Sequence, residues 1–221
     1  MSYTLFLSIN NLILVFSQLY YHSVFINILQ IKVIKWYNEF KKVTYMRQGI
    51  DKIITERLIL RKFVETDVFD FYNNWANDKE VTKYLSWPHH ENLEVTKIVL
   101  NNFIKSYDNM EYNWAIELDN SVIGNISTVK NDYNNKTCEI GYVIGKKYWN
   151  NGYMTEALKA VIKYLFAECY LKISARHDVN NPSSGKVMEK AGMKYKETIY
   201  KCVKNNQGIV DCKYYEITKS L

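Results

Sequence analysis

Residues 149–155 read Trp-Asn-Asn-Gly-Tyr-Met-Thr and separate two apolar runs of different period. Before them, Tyr142, Val143 and Ile144 form a short strand-like run. After them, Ala157, Leu158, Val161, Ile162, Leu165 and Phe166 recur at three- and four-residue spacing, the period of an amphipathic helix. The first N–H groups of a helix lack intrahelical partners and carry the positive end of its dipole, so an anion is their natural occupant. Gly152 has no side chain to hold a phosphate away, Thr155 adds a hydroxyl in the first turn, and Lys146 and Lys147 add positive charge upstream. The expected occupant is a pyrophosphate. The sequence lacks both the Gly-x-x-x-x-Gly-Lys-Ser/Thr phosphate loop and the Gly-x-Gly-x-x-Gly dinucleotide fingerprint, which sets aside nucleotide triphosphates and NAD.

The run EIGYVIGKKYWNNGYMTEAL, with NPSSGKVMEKAGM further on, resembles the GNAT superfamily of N-acetyltransferases. Within it, the branch of ribosomal-protein N-terminal acetyltransferases is the most similar. The family's pyrophosphate signature, Gln/Arg-x-x-Gly-x-Gly/Ala, falls on Trp149 to Met154, where Gly152 alone meets a strict position. Trp149 stands in place of the polar first residue and Met154 in place of the last small one. The resemblance starts at Ile54 and runs essentially to the C-terminus. It implies an α/β (α+β) GNAT fold: a mixed, mostly antiparallel central sheet of about seven strands, splayed at the cofactor strand, with helices on both faces.

The resemblance also implies a reaction and its parts. Acetyl-CoA is the acetyl donor, a primary amine is the acceptor, and attack is direct, with no metal and no enzyme nucleophile. The backbone of Tyr142, Val143 and Ile144 would pair with the pantetheine arm, including an N–H for the acetyl oxygen. Asn150, Asn151, Gly152, Tyr153, Met154 and Thr155 would surround the pyrophosphate. Asn181 would bond the pantetheine arm, and Ser184 would lie near the CoA sulfur. Local chemistry gives both residues a second duty, since Asn181 suits an N-cap and Ser184 the first turn of the helix that follows. Many relatives carry a tyrosine seven residues after that asparagine as the acid for the departing thiolate; here the position is Met188. A thiol of pKa about 8.5 is already a fair leaving group, so only a modest rate loss is expected on Ser184→Ala.

Glu139 is the candidate general base, acting directly or through a water. Strand alternation puts it on the side of Gly141 and Val143, opposite Ile140, Tyr142 and Ile144. Its competing role is a carboxylate satisfied by a neighbouring strand. Trp87-Pro88-His89-His90 resembles the family's loop over the acceptor pocket, although a solvent-facing loop histidine is the commoner case. Tyr84, Trp114 and Tyr133 are acceptor-pocket aromatics or core residues. The acceptor stays open between a protein N-terminal amine and a small-molecule amine. The alternative function is a catalytically inactive CoA-binding module.

Composition bounds these readings. With 221 residues and 48% apolar content, the chain suits one catalytic domain plus an appendage. The formal charge of +6 comes from 29 basic and 23 acidic residues, dispersed without the aromatic-interleaved stripe of a nucleic-acid binder. The four cysteines, Cys138, Cys169, Cys202 and Cys212, form no Cys-x-x-Cys pair, so no metal site is expected. Cys202 and Cys212 flank a turn and face each other across a hairpin, where a reducing compartment would keep them as thiols. A cytoplasmic monomer or homodimer is the expectation.

Residues 1–45 differ from the rest. Leu5 to Ile31 contains no Lys, Arg, Asp or Glu, yet Asn10, Asn11, Gln18, His22 and Asn27 argue against a membrane span. No basic residue precedes the apolar run and no small-residue cleavage site follows it, which argues against a secretory signal. If the run did span, Lys32, Lys35, Lys41 and Lys42 would leave the catalytic part on the cytoplasmic side. The preferred reading makes Met46 the start and residues 1–45 translated upstream DNA of an AT-rich genome; peptides from that segment in native protein would defeat it.

The domain from 46 to 221 then divides by pattern. Thr55 to Arg61 alternates as a first strand, Thr66 and Asp67 open a helix through Ala76, and Leu93 to Tyr107 repeats as an amphipathic helix. Strands are expected at 112–118, 122–130, 138–144, 172–177, 196–203 and 210–217. A second cofactor-flanking helix is expected from about Ser183 to Ala191, ended by Gly192.

Overall fold

A computed structural model of the chain describes residues 50–109 and 112–220. The expectations for residues 1–45, and for Met46 as the start, lie outside the described residues. Among those described, one sheet of eight strands dominates, in the order β1-β2-β3-β4-β5-β6-β8-β7. The strands are β1 (Ile53–Ile54), β2 (Ile59–Arg61), β3 (Asn113–Leu118), β4 (Ser121–Asp132), β5 (Thr137–Ile144), β6 (Lys172–Asp178), β7 (Lys194–Asn205) and β8 (Gly208–Thr218). Every pairing is antiparallel except β5 with β6. Mixed pairing and helices on both faces match the expected GNAT architecture.

The eighth strand arises where one strand was expected. Thr55 and Leu58 exchange a turn, with the Leu58 N–H donating to Thr55 Oγ1 at 3.0 Å and the Thr55 N–H to the Leu58 carbonyl at 2.9 Å. The expected Thr55–Arg61 strand therefore splits into β1 and β2, which pair with each other.

The helices are α1 (Val68–Phe71), α2 (Lys79–Thr82), α3 (Leu93–Ser106), α4 (Tyr153–Ala167) and α5 (Pro182–Lys190). Alternation along the strands sorts them onto two faces. Ile140 joins α4 residues Ala157, Leu158, Val161, Ile162 and Leu165 in the larger core, and Tyr142 and Ile144 pack against it. Ala115, Val122 and Val143 point the other way, to the smaller core with Phe71, Trp75 and Leu100. Asp67 stands at the N-cap of α1, but its side chain makes no cap hydrogen bond. It is buried and accepts two hydrogen bonds from Arg61, at 2.8 and 2.9 Å, and one from the Val64 N–H at 2.8 Å.

The feature that matters for function is a fork. β5 and β6 pair from Thr137↔Lys172 to Ile140↔Ala175 and then stop, although β5 continues to Ile144 and β6 to Asp178. Beyond Ile140, β5 holds only β4. No helix among the described residues is long and apolar enough to cross a membrane.

Candidate active site

The fork opens into a cleft of about 780 Å³ bounded by the α4 start, the first turns of α5, the loop after α2, the end of β7 at Val203 and Asn205, and Cys212 of β8. The backbone of β5 offers the first set of contacts. The Gly145 N–H donates to the Ile123 carbonyl at 2.9 Å, and hydrogen-bonded pairs alternate along an antiparallel ladder. Gly141 and Val143 therefore spend their backbone groups on β4, while Tyr142 and Ile144 turn theirs to the open side. The Ile144 carbonyl is already taken, since Trp149 Nε1 donates to it at 2.9 Å. What remains is the N–H and carbonyl of Tyr142 and the N–H of Ile144. Val143 faces the cleft only with other atoms.

The start of α4 offers the second set. Gly152 is its N-cap, in left-handed backbone with φ 82°, and no side chain caps the helix. The N–H groups of the first turn thus lie open beside a residue without a Cβ, which is the arrangement an anion site needs. Asn150 also has positive φ, at 62°, as the turn reverses direction. Asn150, Gly152, Tyr153, Met154 and Thr155 line the cleft. Asn151 does not: its carbonyl accepts from Arg57 Nη1 at 3.0 Å and its amide donates to the Trp149 carbonyl at 2.9 Å. Trp149, the residue that departs from the family signature, fastens the turn back onto β5.

The charge near this turn differs from the sequence expectation. Lys146 bonds Glu80 at 2.5 Å and Lys147 lies over the Tyr148 ring at 4.8 Å, so neither lines the cleft. Lys83, Arg176, Lys186 and Lys190 line it instead. Arg57 was not singled out by the sequence, yet it grips Glu156 at 2.7 Å, stacks over Tyr153 at 4.5 Å and holds the Asn151 carbonyl. Burial would raise the Glu156 carboxyl, but hydrogen bonds from Thr55 and Arg57 outweigh it and hold the group below its ordinary value.

α5 supplies the third set. Asn181 caps it, with Oδ1 accepting from the Ser184 N–H at 3.4 Å, and both residues line the cleft. Ser184 is bound to β5: Tyr142 Oη lies 2.9 Å from its carbonyl oxygen and 2.9 Å from its Oγ. Met188, where relatives carry a tyrosine, is buried.

Glu139 is buried at the cleft's edge and bridged by Arg176 at 3.0 Å and Lys130 at 3.7 Å. Its carboxylate is a paired one. Arg176 Nη1 also donates to Cys202 Sγ at 3.5 Å, and all four cysteines are free thiols. Burial is the main cause that pushes the Cys212 thiol up to about 12. Of the candidate acceptor aromatics, Tyr84 lines the cleft, Trp114 is core and Tyr133 is exposed beside Tyr170.

Neither loop histidine lines the cleft. His90 is buried against Phe71 and Trp87, with Nδ1 2.8 Å from Thr96 Oγ1. His177, on β6, is also buried and lines the cleft. Its Nδ1 lies 2.8 Å from the Asp178 carbonyl, which can only accept, so Nδ1 carries the proton and Nε2 keeps a lone pair without a partner among the described residues. Burial lowers both histidine pKa values from 6.5, helped by His89 at His90 and opposed by the Asp178 carbonyl at His177. A depressed histidine contributes stability in full above the unfolded value and loses it as pH falls through the folded one. Tm is therefore expected to drop as pH falls from about 7 to about 5, and His90→Gln to flatten that slope. A calorimetric Tm that stays level across this window would contradict the assignment.

Comparison with known proteins agrees with this geometry. Residues 57–194 match the family model of the acetyltransferase (GNAT) domain. The chain is 31% identical over 166 residues to the uncharacterized N-acetyltransferase YnaD of Bacillus subtilis, over 75% of this chain and 95% of that one. A crystal structure of a GNAT-family acetyltransferase from Bacillus anthracis superposes with TM-score 0.67 at 32% identity, covering 76% of this chain and 98% of that one. RimL, the ribosomal L7/L12 alpha-N-protein acetyltransferase solved in complex with coenzyme A, shares the fold with TM-score 0.69 at 19% identity, over 76% of this chain and 98% of its own. A likeness that long, joined to a forked sheet and an uncapped glycine-led helix, leads to one conclusion: this chain belongs to the GNAT acetyltransferase family, enzymes of acetyl-CoA-dependent acetyl transfer.

Proposed function

We propose that the protein is an N-acetyltransferase that moves the acetyl group of acetyl-CoA to a primary amine by direct attack. The observation that carries this reading is the fork between β5 and β6, which leaves strand backbone groups unpaired next to an uncapped helix start. Bound there, acetyl-CoA supplies an acetyl thioester. Tyr142 and Ile144 hold the pantetheine arm through their open backbone groups, and an N–H on this edge polarises the acetyl oxygen. The N–H groups from Gly152 to Thr155 hold the diphosphate, and Lys186 and Lys190 add charge for its phosphates. Asn181 uses its amide N–H on the arm while its Oδ1 caps α5, and the Ser184 hydroxyl lies near the sulfur. That RimL, which shares this fold, was solved in complex with coenzyme A supports coenzyme A as the ligand.

Orientation within such a cleft supplies most of the rate, since holding two reactants in place is worth about 7 to 11 kcal/mol. Proton removal is the smaller part. Glu139 already answers Arg176 and Lys130, which favours an acceptor that needs little help. A protein α-amine, with pKa about 8, is partly neutral at working pH, whereas a lysine near 10.4 is not. The acceptor we favour is therefore a protein N-terminal amine or a small amine of similar acidity. With such an acceptor, Glu139→Gln is expected to lower kcat by less than about tenfold, below the usual range for a lost general base. A loss beyond a hundredfold in steady-state assays would restore Glu139 as the base.

The cytoplasm is the compartment we assign, consistent with four free thiols. The test of function is an amine panel, comprising N-terminal peptides, lysine peptides, polyamines and amino sugars, read by mass spectrometry alongside thiol release. Acetylated α-amines with matching thiol release are the predicted result. Coenzyme binding without thiol release on any amine would leave an inactive CoA-binding module in place of the enzyme.

A further inference from the structure

We propose that Tyr142 is a positioning residue that sets the Ser184 hydroxyl as a hydrogen-bond donor toward the coenzyme's sulfur. The inference rests on the reading of Ser184 given above. Tyr142 Oη lies equally close, at 2.9 Å, to the carbonyl oxygen and the Oγ of Ser184. The carbonyl can only accept. While the phenol donates to it, the Ser184 hydroxyl donates to Tyr142 and shows the cleft nothing but lone pairs.

One rotation of the phenol O–H reverses this arrangement. Donating to Oγ instead, Tyr142 frees the Ser184 proton to turn into the cleft. The carbonyl it leaves is within α5 and faces the N–H four residues on, so the switch strands no buried group. A hydroxyl that accepts one hydrogen bond becomes a better donor of the next. Negative charge growing on sulfur favours this second arrangement, and a neutral thioester the first. No bond is made or broken and no proton changes owner; two hydrogen bonds are redirected.

Two further observations fit. Met188 is 1% exposed and has no donor, so the hydroxyl that relatives place on this helix is absent, and Tyr142 brings one from the strand below. Burial holds the Tyr142 phenol above its ordinary value, with the Ser184 hydrogen bond opposing, so Tyr142 keeps its proton through neutral pH.

The test reads the acidity of coenzyme A's thiol in its complex with the full chain, by the ultraviolet absorbance of the thiolate during a pH titration. In the wild type the bound thiol is expected to be more acidic than the free thiol. Tyr142→Phe and Ser184→Ala are each expected to shift it back by about one pH unit, a tenfold change in ionisation, and the double variant no further than Ser184→Ala alone. kcat for the best amine should follow the same pattern, about tenfold down in each single variant and in the double, with KM held. Tyr142→Phe should leave coenzyme affinity and Tm near wild type. An unmoved thiol in Tyr142→Phe, additive shifts in the double variant, or affinity and Tm falling together with the thiol shift would each overturn the inference. Absence of coenzyme binding by the wild type would sink the reading of the site as well; binding with an unmoved thiol sinks this inference alone.

Discussion

Gly152→Asp is expected to fold normally and to bind coenzyme A about a hundredfold more weakly than the wild type. Three terms give this result. A Cβ at Gly152 meets nothing nearer than Arg57 Nη2 at 3.6 Å, so there is room for a side chain. The left-handed backbone there, with φ 82°, costs an L-residue roughly 1–2 kcal/mol, and least for Asp or Asn. A carboxylate at a helix start recovers about 0.3–1 kcal/mol from the dipole, so the folded state changes little. The bound diphosphate, however, would then face a like charge. At about 4 Å and an effective dielectric near 20 that repulsion is ~4 kcal/mol, and solvent and Arg57 reduce it to about 2–3 kcal/mol. Gly152→Asn, equally tolerant of the backbone but uncharged, is the control and should stay within about tenfold of wild type. Calorimetric Kd and Tm measured on the three proteins check the claim. Equal affinities for the Asp and Asn variants would mean that no anion sits at the head of α4.

The second large effect concerns Gly124 on β4. A Cβ there would overlap the carbonyl oxygen of Val143, closer than any real Cβ contact, and that oxygen is backbone that cannot step aside. Val143 lies opposite Asn125 on β5, within the stretch where β5 has already lost β6 and holds only β4. Gly124→Ala is expected to push the two strands apart at their one remaining pairing. Overpacking of a rigid site costs about 1–3 kcal/mol and occasionally more, and with two backbone atoms of β5 in the way, Val143 O and Ile144 Cα, we expect the upper end, ~3 kcal/mol. That corresponds to a Tm lower by roughly 10 °C for a domain of this size. Because the displaced groups include Tyr142 and Ile144, coenzyme affinity should fall with stability, unlike Gly152→Asp. A Gly124→Ala protein with unchanged Tm would show that β4 and β5 do not approach as described.

Much of this site could be read from local pattern. The α4 start was legible because a glycine stands between a strand period and a helix period, and Asn181 because an Asn-Pro pair is an N-cap signal in any context. What escaped were partners distant in sequence. Sequence places the charge of Lys146 beside the glycine turn, but Glu80, 66 residues earlier, takes its ammonium. Glu139 was a candidate base because strand alternation turns it to one face, but alternation says nothing of Arg176, brought alongside by the parallel register Glu139↔Ser174. Val143 was grouped with Tyr142 and Ile144, although the ladder's alternation sends its backbone groups to β4. Trp149 departs from the family signature, and its reason is a contact no motif shows: its indole donates to the Ile144 carbonyl. The stretch Thr55–Arg61 has the composition of one strand; the turn that splits it is made by the Thr55 hydroxyl together with the Thr55 N–H bond to the Leu58 carbonyl, which composition does not show.

The measurement that meets the central claim most directly is an amide-resonance titration of the isotopically labelled full chain with coenzyme A. Saturable shifts at the amides of Tyr142, Ile144 and Gly152 to Thr155, at one coenzyme per chain, are the predicted result. Binding that moves other amides and leaves these still, or no binding at all, would contradict it.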